Sequence, residues 1–213
     1  MNKCTIVGLG NPGKKYENTR HNAGKMFIQW MKKVEEDRRR YKKVEESRRK
    51  YKKGEEGEMA LVETECFMNE SGEWIKKRMV KTVKMAETAK SYNNFFIVHD
   101  DLDIPLGSFK IQFAKGPLQH NGVLSVEQAL GTKEFWRIRI GIDARSSGPA
   151  ALQPHPTASL EDSMQALDGA PRYASPDSSS DYVLSHFSKE EQSMLVNNVF
   201  PKTRKELLKT CTL

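Results

Sequence analysis

The chain has 213 residues and a formal net charge of +7, long enough for one domain with a real hydrophobic core. Only 37% of residues are hydrophobic and 30% are charged, which points to a globular core carrying polar inserts and leaves no long apolar run for a membrane span. Met1 leads almost directly into "CTIVGLG", so no charged-then-apolar leader is read and a cytoplasmic location is expected.

The first predicted strand is 3–9, and it runs into GLGNPG, a literal G-x-G-x-x-G with glycines at 8, 10 and 13. A dinucleotide fingerprint turns straight from its glycines into a helix whose N-terminus receives the phosphates. Here Pro12-Gly13 marks a turn and "KKYENTR" prolongs the loop before a helix predicted at 21–34. The nucleotide reading is therefore set aside. The loop instead brings Asn11, Tyr16, Arg20, His21 and Asn22 to one rim, and Met26, Phe27, Trp30 and Met31 form the apolar side of the helix.

An internal repeat follows, "VEEDRRRYKK" at 34–43 and "VEESRRKYKK" at 44–53, then "GEEGE". Its ten-residue period does not fit a heptad. Residues 31–56 carry a surplus of five positive charges, read as a solvated helical extension or charged loop, with an arm for RNA phosphates as the alternative. Because most of the basic surplus sits there, overall charge says little about partners.

Strands are then predicted at 58–67, 94–99, 108–114 and 135–142, with helices at 71–86, 121–130 and 188–199. The last opens with Ser188 and has Glu191 three residues on, a capping box. Between them, 144–180 holds five of the nine prolines and eight serines, and it is expected to be a mostly disordered insertion with a short helix near 160–168. This alternation predicts a single α/β domain over 1–213, a mixed twisted β-sheet flanked by helices. Cys4, Cys66 and Cys211 are scattered without metal-ligand spacing; Cys4 and Cys66 fall in predicted strands and are read as buried free thiols.

Polar groups recur where apolar segments end: Asn11, Asn69, Asp100-Asp101 and His120-Asn121. In a doubly wound sheet such ends share one cleft. A histidine, an aspartate and several carboxamides suit hydrolysis by activated water, the imidazole taking the proton and the carboxylate orienting the ring. His21 is the expected base. A helix N-terminus disfavours its imidazolium and a neighbouring aspartate favours it, so its pKa is expected to stay near the reference value. No serine sits in a G-x-S-x-G setting and no cluster has metal-ligand spacing.

At these residues the sequence resembles the bacterial-type peptidyl-tRNA hydrolase family, through "VGLGNPGKKYENTRHNAG", "CFMNESG", "VHDDLDIPLG", "HNGVLSVEQALGT", "FWRIRIGI" and, more weakly, "DYVLSHFSKEE". The resemblance implies cleavage of the ester joining a peptide to the 3′ ribose of tRNA. It implies His21 as the proton acceptor, Asp100 as its partner, and Asn11 as the group that tells blocked from free aminoacyl ends. Tyr16, Phe67, Asn69 and Asn121, with His120 beside it, would line the cleft. The implied partner is peptidyl-tRNA, bound at its acceptor end and phosphate backbone. No cofactor, metal or membrane is implied, and a monomer is expected.

Arg137 and Arg139 alternate with Ile138 and Ile140 and so share one strand face. With Lys110 and Lys115 they are expected to hold tRNA phosphates. Two departures from the family pattern stand out. "KGPLQHNG" replaces the usual glycine-rich approach, and Gln112 stands where the family often has a lysine. The chain after Pro201 also looks short and altered. The altered "KGPLQ" loop is the one feature that favours the rival reading, a catalytically inactive or reassigned RNA-binding member of the same fold; retention of His21, Asp100, Asn11, Asn69 and Asn121 together favours the enzyme.

Overall fold

A computed structural model describes residues 4–48, 59–82, 92–117, 119–144 and 176–211. Five strands form one sheet: β1 (Cys4–Gly8), β2 (Met59–Glu63), β3 (Phe95–Pro105), β4 (Phe109–Phe113) and β5 (Trp136–Asp143). Their order is β2-β1-β3-β5-β4. All neighbours are parallel except β4, which runs antiparallel to β5 at one edge. Every residue of β1 is buried, as expected for an interior parallel strand covered on both faces.

Six α-helices are described: α1 (Ala23–Arg48), α2 (Ser71–Thr82), α3 (Asn121–Leu130), α4 (Pro176–Leu184), α5 (Lys189–Met194) and α6 (Phe200–Cys211). On one face of the sheet, Ile6, Phe96, Val98 and Ile138 pack with Phe27 and Met31 of α1 and with Phe200 and Leu207 of α6. On the other, Val7, Phe95 and Ile97 pack with Ile75 of α2 and Val123 and Val126 of α3. The strand alternation thus feeds two cores, and the result is a helix–sheet–helix sandwich. Among the described residues no helix is long and apolar enough to cross a membrane.

The glycines of GLGNPG serve packing. A Cβ on Gly8 would lie 2.4 Å from the carbonyl oxygen of Gly24 in α1, and one on Gly24 would lie 2.3 Å from that of Val98. Backbone meets backbone here, and α1 reaches the sheet only because neither residue has a side chain. Gly13 takes φ +96 in the turn, a left-handed conformation that suits glycine.

Several expectations need correction. β3 continues past the predicted end at 99, through Asp100 and Asp101 to Pro105, although two successive aspartates after a strand read as a turn. β2 ends at Glu63, so Cys66 lies beyond the strand and is only partly buried. The helix predicted to end at 34 extends to Arg48, carrying the first copy of the charged repeat and half of the second. At about 1.5 Å per residue that makes a rod of roughly 39 Å. Arg40 pairs with Glu36 one turn back at 2.6 Å, and Arg204 of α6 reaches Glu35 at 2.6 Å. The end of the insertion expected over 144–180 is helical, since α4 begins at Pro176; residues 145–175, with the helix expected near 160–168, lie outside the described residues, as does 49–58.

The helix predicted at 188–199 is followed by α6, which carries the chain through Pro201 to Cys211. The predicted capping box is present, with Ser188 Oγ accepting from the Glu191 N–H and Glu191 accepting from the Ser188 N–H. Residues Leu195–Val199 form a π-helical turn, and the Phe200 N–H donates to the Leu195 carbonyl. Pro201 has no N–H and its ring would crowd the carbonyl four residues back. The widened turn just before it lets α6 continue, as such bulges commonly do.

Candidate active site

His21 lies in a 3₁₀ turn (Arg20–Asn22) that leads into α1, and Asp100 lies beyond the buried apolar half of β3. Nδ1 of His21 is 3.0 Å from each carboxylate oxygen of Asp100. His120 approaches the same carboxylate from the third side, its Nε2 2.9 Å from Oδ1. The tautomer of His120 follows from its other nitrogen. As N-cap of α3, Nδ1 accepts from the N–H groups of Gly122 and Val123 at 3.1 and 3.2 Å, so the ring proton sits on Nε2 and is donated to Asp100. For His21, a carboxylate facing Nδ1 places the proton there and leaves the Nε2 lone pair free.

Charge placement matches that wiring. Burial pushes the Asp100 carboxyl up, but His21 and His120 together hold it well below the usual carboxylate range, so it stays ionised. For His21, burial lowers the pKa, while the charge and hydrogen bond of Asp100 raise it and prevail, leaving it above 6.5. The expected balance near the reference value is thus tipped by the aspartate. His99 is fully buried, its Nδ1 2.6 Å from the Asp100 carbonyl, and burial with His120 nearby keeps it neutral. Its ring stands edge-on to His120, with centroids 4.9 Å apart.

His21, Asp100 and His120 also form a group whose donor atoms lie within 4.8 Å of one another, spacing that a metal ion could use. The capping bonds argue against chelation, because His120 could offer Nε2 to a cation only by losing its remaining ring proton or abandoning the α3 cap.

Asn11 lies just past β1 and is buried. Its backbone N–H donates to Asn22 Oδ1 at 2.8 Å, Asn22 Nδ2 returns a bond to the Asn11 carbonyl at 3.0 Å, and Asn11 Oδ1 accepts from the Met68 N–H at 2.9 Å. The last bond fixes the turn Met68–Glu70, which displays Asn69 to solvent beside Phe67, itself 50% exposed. The rings of Tyr16 and Phe67 meet edge to face at 6.4 Å. Asn121, exposed, opens α3 directly after His120. Phe67 and Asn69 are thus linked to the turn that holds His21 through Asn11 and Asn22, Tyr16 meets Phe67, and Asn121 follows the His120 that bonds Asp100. His120, grouped from sequence with the binding residues, is instead 7% exposed and faces Asp100.

The two strand arginines do share one face, yet both are buried and ion-paired. Arg139 Nε donates to Asp101 at 2.6 Å and Nη1 to Gln112 at 2.8 Å. Arg137 bonds Glu127 at 2.8 Å and the Gly116 carbonyl, and a Cβ on Gly116 would strike the Arg139 guanidinium. Alternation reports the face and not what covers it, so the expected open phosphate clamp is corrected: these groups hold the 114–117 loop. Lys110, cross-strand from Arg139, and Lys115 remain exposed.

Sequence reasoning gave no role to two neighbours of His21. Asn22 locks Asn11 in place. Arg20 makes a two-point bond to Glu191, 2.9 Å to each oxygen, and lies over the rings of Tyr182 and Phe187. The juxtaposition of "TRHN" with a capping-box glutamate far along the chain carries no sequence spacing that would reveal it.

A family model described as peptidyl-tRNA hydrolase matches residues 5–157. The peptidyl-tRNA hydrolase of Lawsonia intracellularis is 32% identical over 199 residues, spanning 93% of this chain and 82% of that protein. That of Brevibacillus brevis is 35% identical over 176 residues, spanning 76% and 84%. The fold is similar to a crystal structure of peptidyl-tRNA hydrolase from Acinetobacter baumannii, with TM-score 0.61 and 22% identity over 99% of this chain and 93% of that one. The chain belongs to the peptidyl-tRNA hydrolase family.

Proposed function

We propose that the chain cleaves the ester between peptide, or N-blocked amino acid, and the 3′ end of tRNA, with His21 as general base. The observation that carries this reading is the contact between His21 Nδ1 and both oxygens of a buried, ionised Asp100. Neutral His21 takes a proton from water at Nε2, and the water oxygen attacks the ester carbonyl. Asp100 holds the ring in the required tautomer and stabilises the imidazolium as it forms. His120, donating to Oδ1, fixes the carboxylate so that its charge is presented without reorganisation.

Asn11 contributes the discrimination. Its Oδ1 is engaged by the Met68 N–H, which leaves the Nδ2 donor to meet a substrate carbonyl. A peptidyl amide satisfies such a neutral polar site, and the cationic amine of a free aminoacyl end does not. Tyr16 and Phe67 supply apolar surface, Asn69 and Asn121 pair with peptide groups, and Lys110 and Lys115 neutralise tRNA phosphates around a monomer. Contacts of this kind read the backbone and not the bases, which suits a substrate class that includes many tRNAs. An RNA-binding member without catalysis would have no use for the buried Asp–His pair.

The test is release of N-acetyl amino acid from N-acetyl-aminoacyl-tRNA by wild type and His21→Ala, with a chelator and with unblocked aminoacyl-tRNA as controls. Turnover that requires His21, survives the chelator and spares the unblocked substrate is expected. Binding without turnover in the wild type would hand the chain to the RNA-binding reading.

A further inference from the structure

The two ends of the described chain meet at a pair of cysteines. Cys4 is the first residue of β1 and is 1% exposed. Cys211 is the last residue of α6 and is only partly buried. The Cys4 thiol lies 3.8 Å from the Cys211 backbone carbonyl, and both side chains pack on the core cluster built by Ile6, Phe200 and Leu207. A hydrogen bond shared by the two thiols pulls Cys4 below the usual thiol range and, with burial, holds Cys211 well above it. Cys66, the third cysteine, belongs to the opposite end of the sheet, past the carboxyl end of β2.

We propose that Cys4 and Cys211 form a reversible disulfide, tying the start of β1 to the end of α6, when the protein meets a low-molecular-weight disulfide such as oxidised glutathione. Cys211 is the sulfur that glutathione can reach: it attacks one glutathione sulfur as its proton passes to Cys4, forming a mixed disulfide and releasing one glutathione thiolate. Cys4 then loses that proton and attacks the Cys211 sulfur, and the second glutathione thiolate leaves. Two protein thiols are oxidised, two protons are lost from them, and one glutathione disulfide is reduced to two thiols. The hydrogen bond from the Cys4 thiol to the Cys211 carbonyl holds the Cys4 sulfur at the end of α6 before oxidation begins.

The cross-link would close a loop spanning nearly the whole chain, the case in which restriction of the unfolded state is greatest. It also lies at the amino ends of the strands, whereas Asn11, Asp100 and His21 gather at their carboxyl ends. Oxidation should therefore raise the melting temperature and leave turnover unchanged.

The experiment equilibrates the folded wild type, Cys66→Ala and Cys211→Ala across a series of reduced and oxidised glutathione ratios. Free thiols are then alkylated and the digests mapped by mass spectrometry, with melting curves in parallel. The expected result is a peptide joining Cys4 to Cys211 in wild type and Cys66→Ala, lighter by two hydrogens (about 2 Da) than its reduced parts. In both proteins Tm rises by several degrees and returns on reduction, while Cys211→Ala shows neither effect. Alkylation of both Cys4 and Cys211 at every ratio would overturn the proposal. So would a glutathionyl group that stays on Cys211, or a link to Cys66 or to a second chain. If Cys211→Ala fails to fold, the Cys66→Ala map alone decides.

Discussion

Both carboxylate oxygens of Asp100 lie 3.0 Å from Nδ1 of His21, and that single contact sets the pH at which the base is competent. The folded pKa of His21 is raised because Asp100 outweighs burial. A base must be neutral, so activity should fall as pH drops through a value above 6.5. Asp100→Asn removes the raising influence and leaves burial, so the acid limb of kcat/KM should move to lower pH while the rate drops. A pH–rate profile on N-blocked aminoacyl-tRNA measures both. An unmoved limb in a slower variant would detach Asp100 from the proton transfer. His21→Ala should cost about 10²–10⁴-fold in kcat with tRNA binding retained.

His120→Ala separates two functions of one side chain. Loss of the bonds to Gly122 and Val123 uncaps α3, which should cost about 1 kcal/mol of stability. Loss of the bond to Asp100 leaves that carboxylate with His21 as its remaining side-chain donor, so its pull on the His21 proton grows. The acid limb should therefore shift up, opposite in sign to Asp100→Asn. His120→Asn can restore a cap through its carboxamide oxygen, and it should recover stability while keeping the altered profile. Urea denaturation and the pH profile read the two effects independently.

Arg20→Ala tests whether the loop before His21 is riveted from the far end of the chain. Arg20 and Glu191 are both nearly buried, with side chains 9% and 12% exposed, and Arg20 also donates to Ser185 Oγ at 3.2 Å. Removing one partner of such a pair leaves the other unpaired, at a cost of about 3–5 kcal/mol. Arg20→Lys should recover little, since one ammonium nitrogen cannot reach Glu191, the Ser185 hydroxyl and the Ile142 carbonyl together or spread over two rings. The readout is the urea midpoint at unchanged m-value.

The strands and helix positions were largely legible from sequence, because buried parallel strands are apolar runs and α3 begins at its histidine cap and ends at Gly131. What stayed hidden depends on tertiary partners. Asp100 and Asp101 look like a turn after the predicted strand, but His21 and His120 satisfy the first and Arg139 the second inside β3. Arg137 and Arg139 were placed on the correct face, and only the fold brings Glu127 and Asp101 to cover it. The predicted helix stops at 199, and only the π turn Leu195–Val199 shows how the chain stays helical past Pro201. The candidate site was visible as residue types at segment ends; that two histidines converge on one carboxylate is a fact of topology.

Gly24→Ala probes the close approach of α1 to the sheet. The added methyl would sit 2.3 Å from the Val98 carbonyl oxygen and 2.8 Å from that of Leu9, both backbone atoms with no rotamer to escape into. α1 would have to lift, and overpacking of this kind costs about 1–3 kcal/mol. Because His21 lies just ahead of Gly24, kcat should fall along with stability. Gly13→Ala meets no neighbour and pays only for its left-handed backbone, so its activity should stay close to wild type. Equal loss of activity in the two variants would overturn the packing explanation of the first glycine motif.

Lys110 and Lys115 are the cations of the β4 edge left exposed once the arginines are accounted for. Removing one lysine that neutralises a phosphate should lower the dependence of log K on log salt by roughly 0.7–0.9, so Lys110→Ala with Lys115→Ala should flatten the slope by up to about two such steps. The effect should fall on KM for tRNA substrates and spare kcat, since neither lysine touches the His21–Asp100 pair. Arg139→Ala should behave differently, because its guanidinium holds Asp101, Gln112 and the Gly116 loop. It should lower stability and kcat together, with little change in salt slope. A flattened slope in Arg139→Ala at unchanged stability would return that arginine to the phosphates.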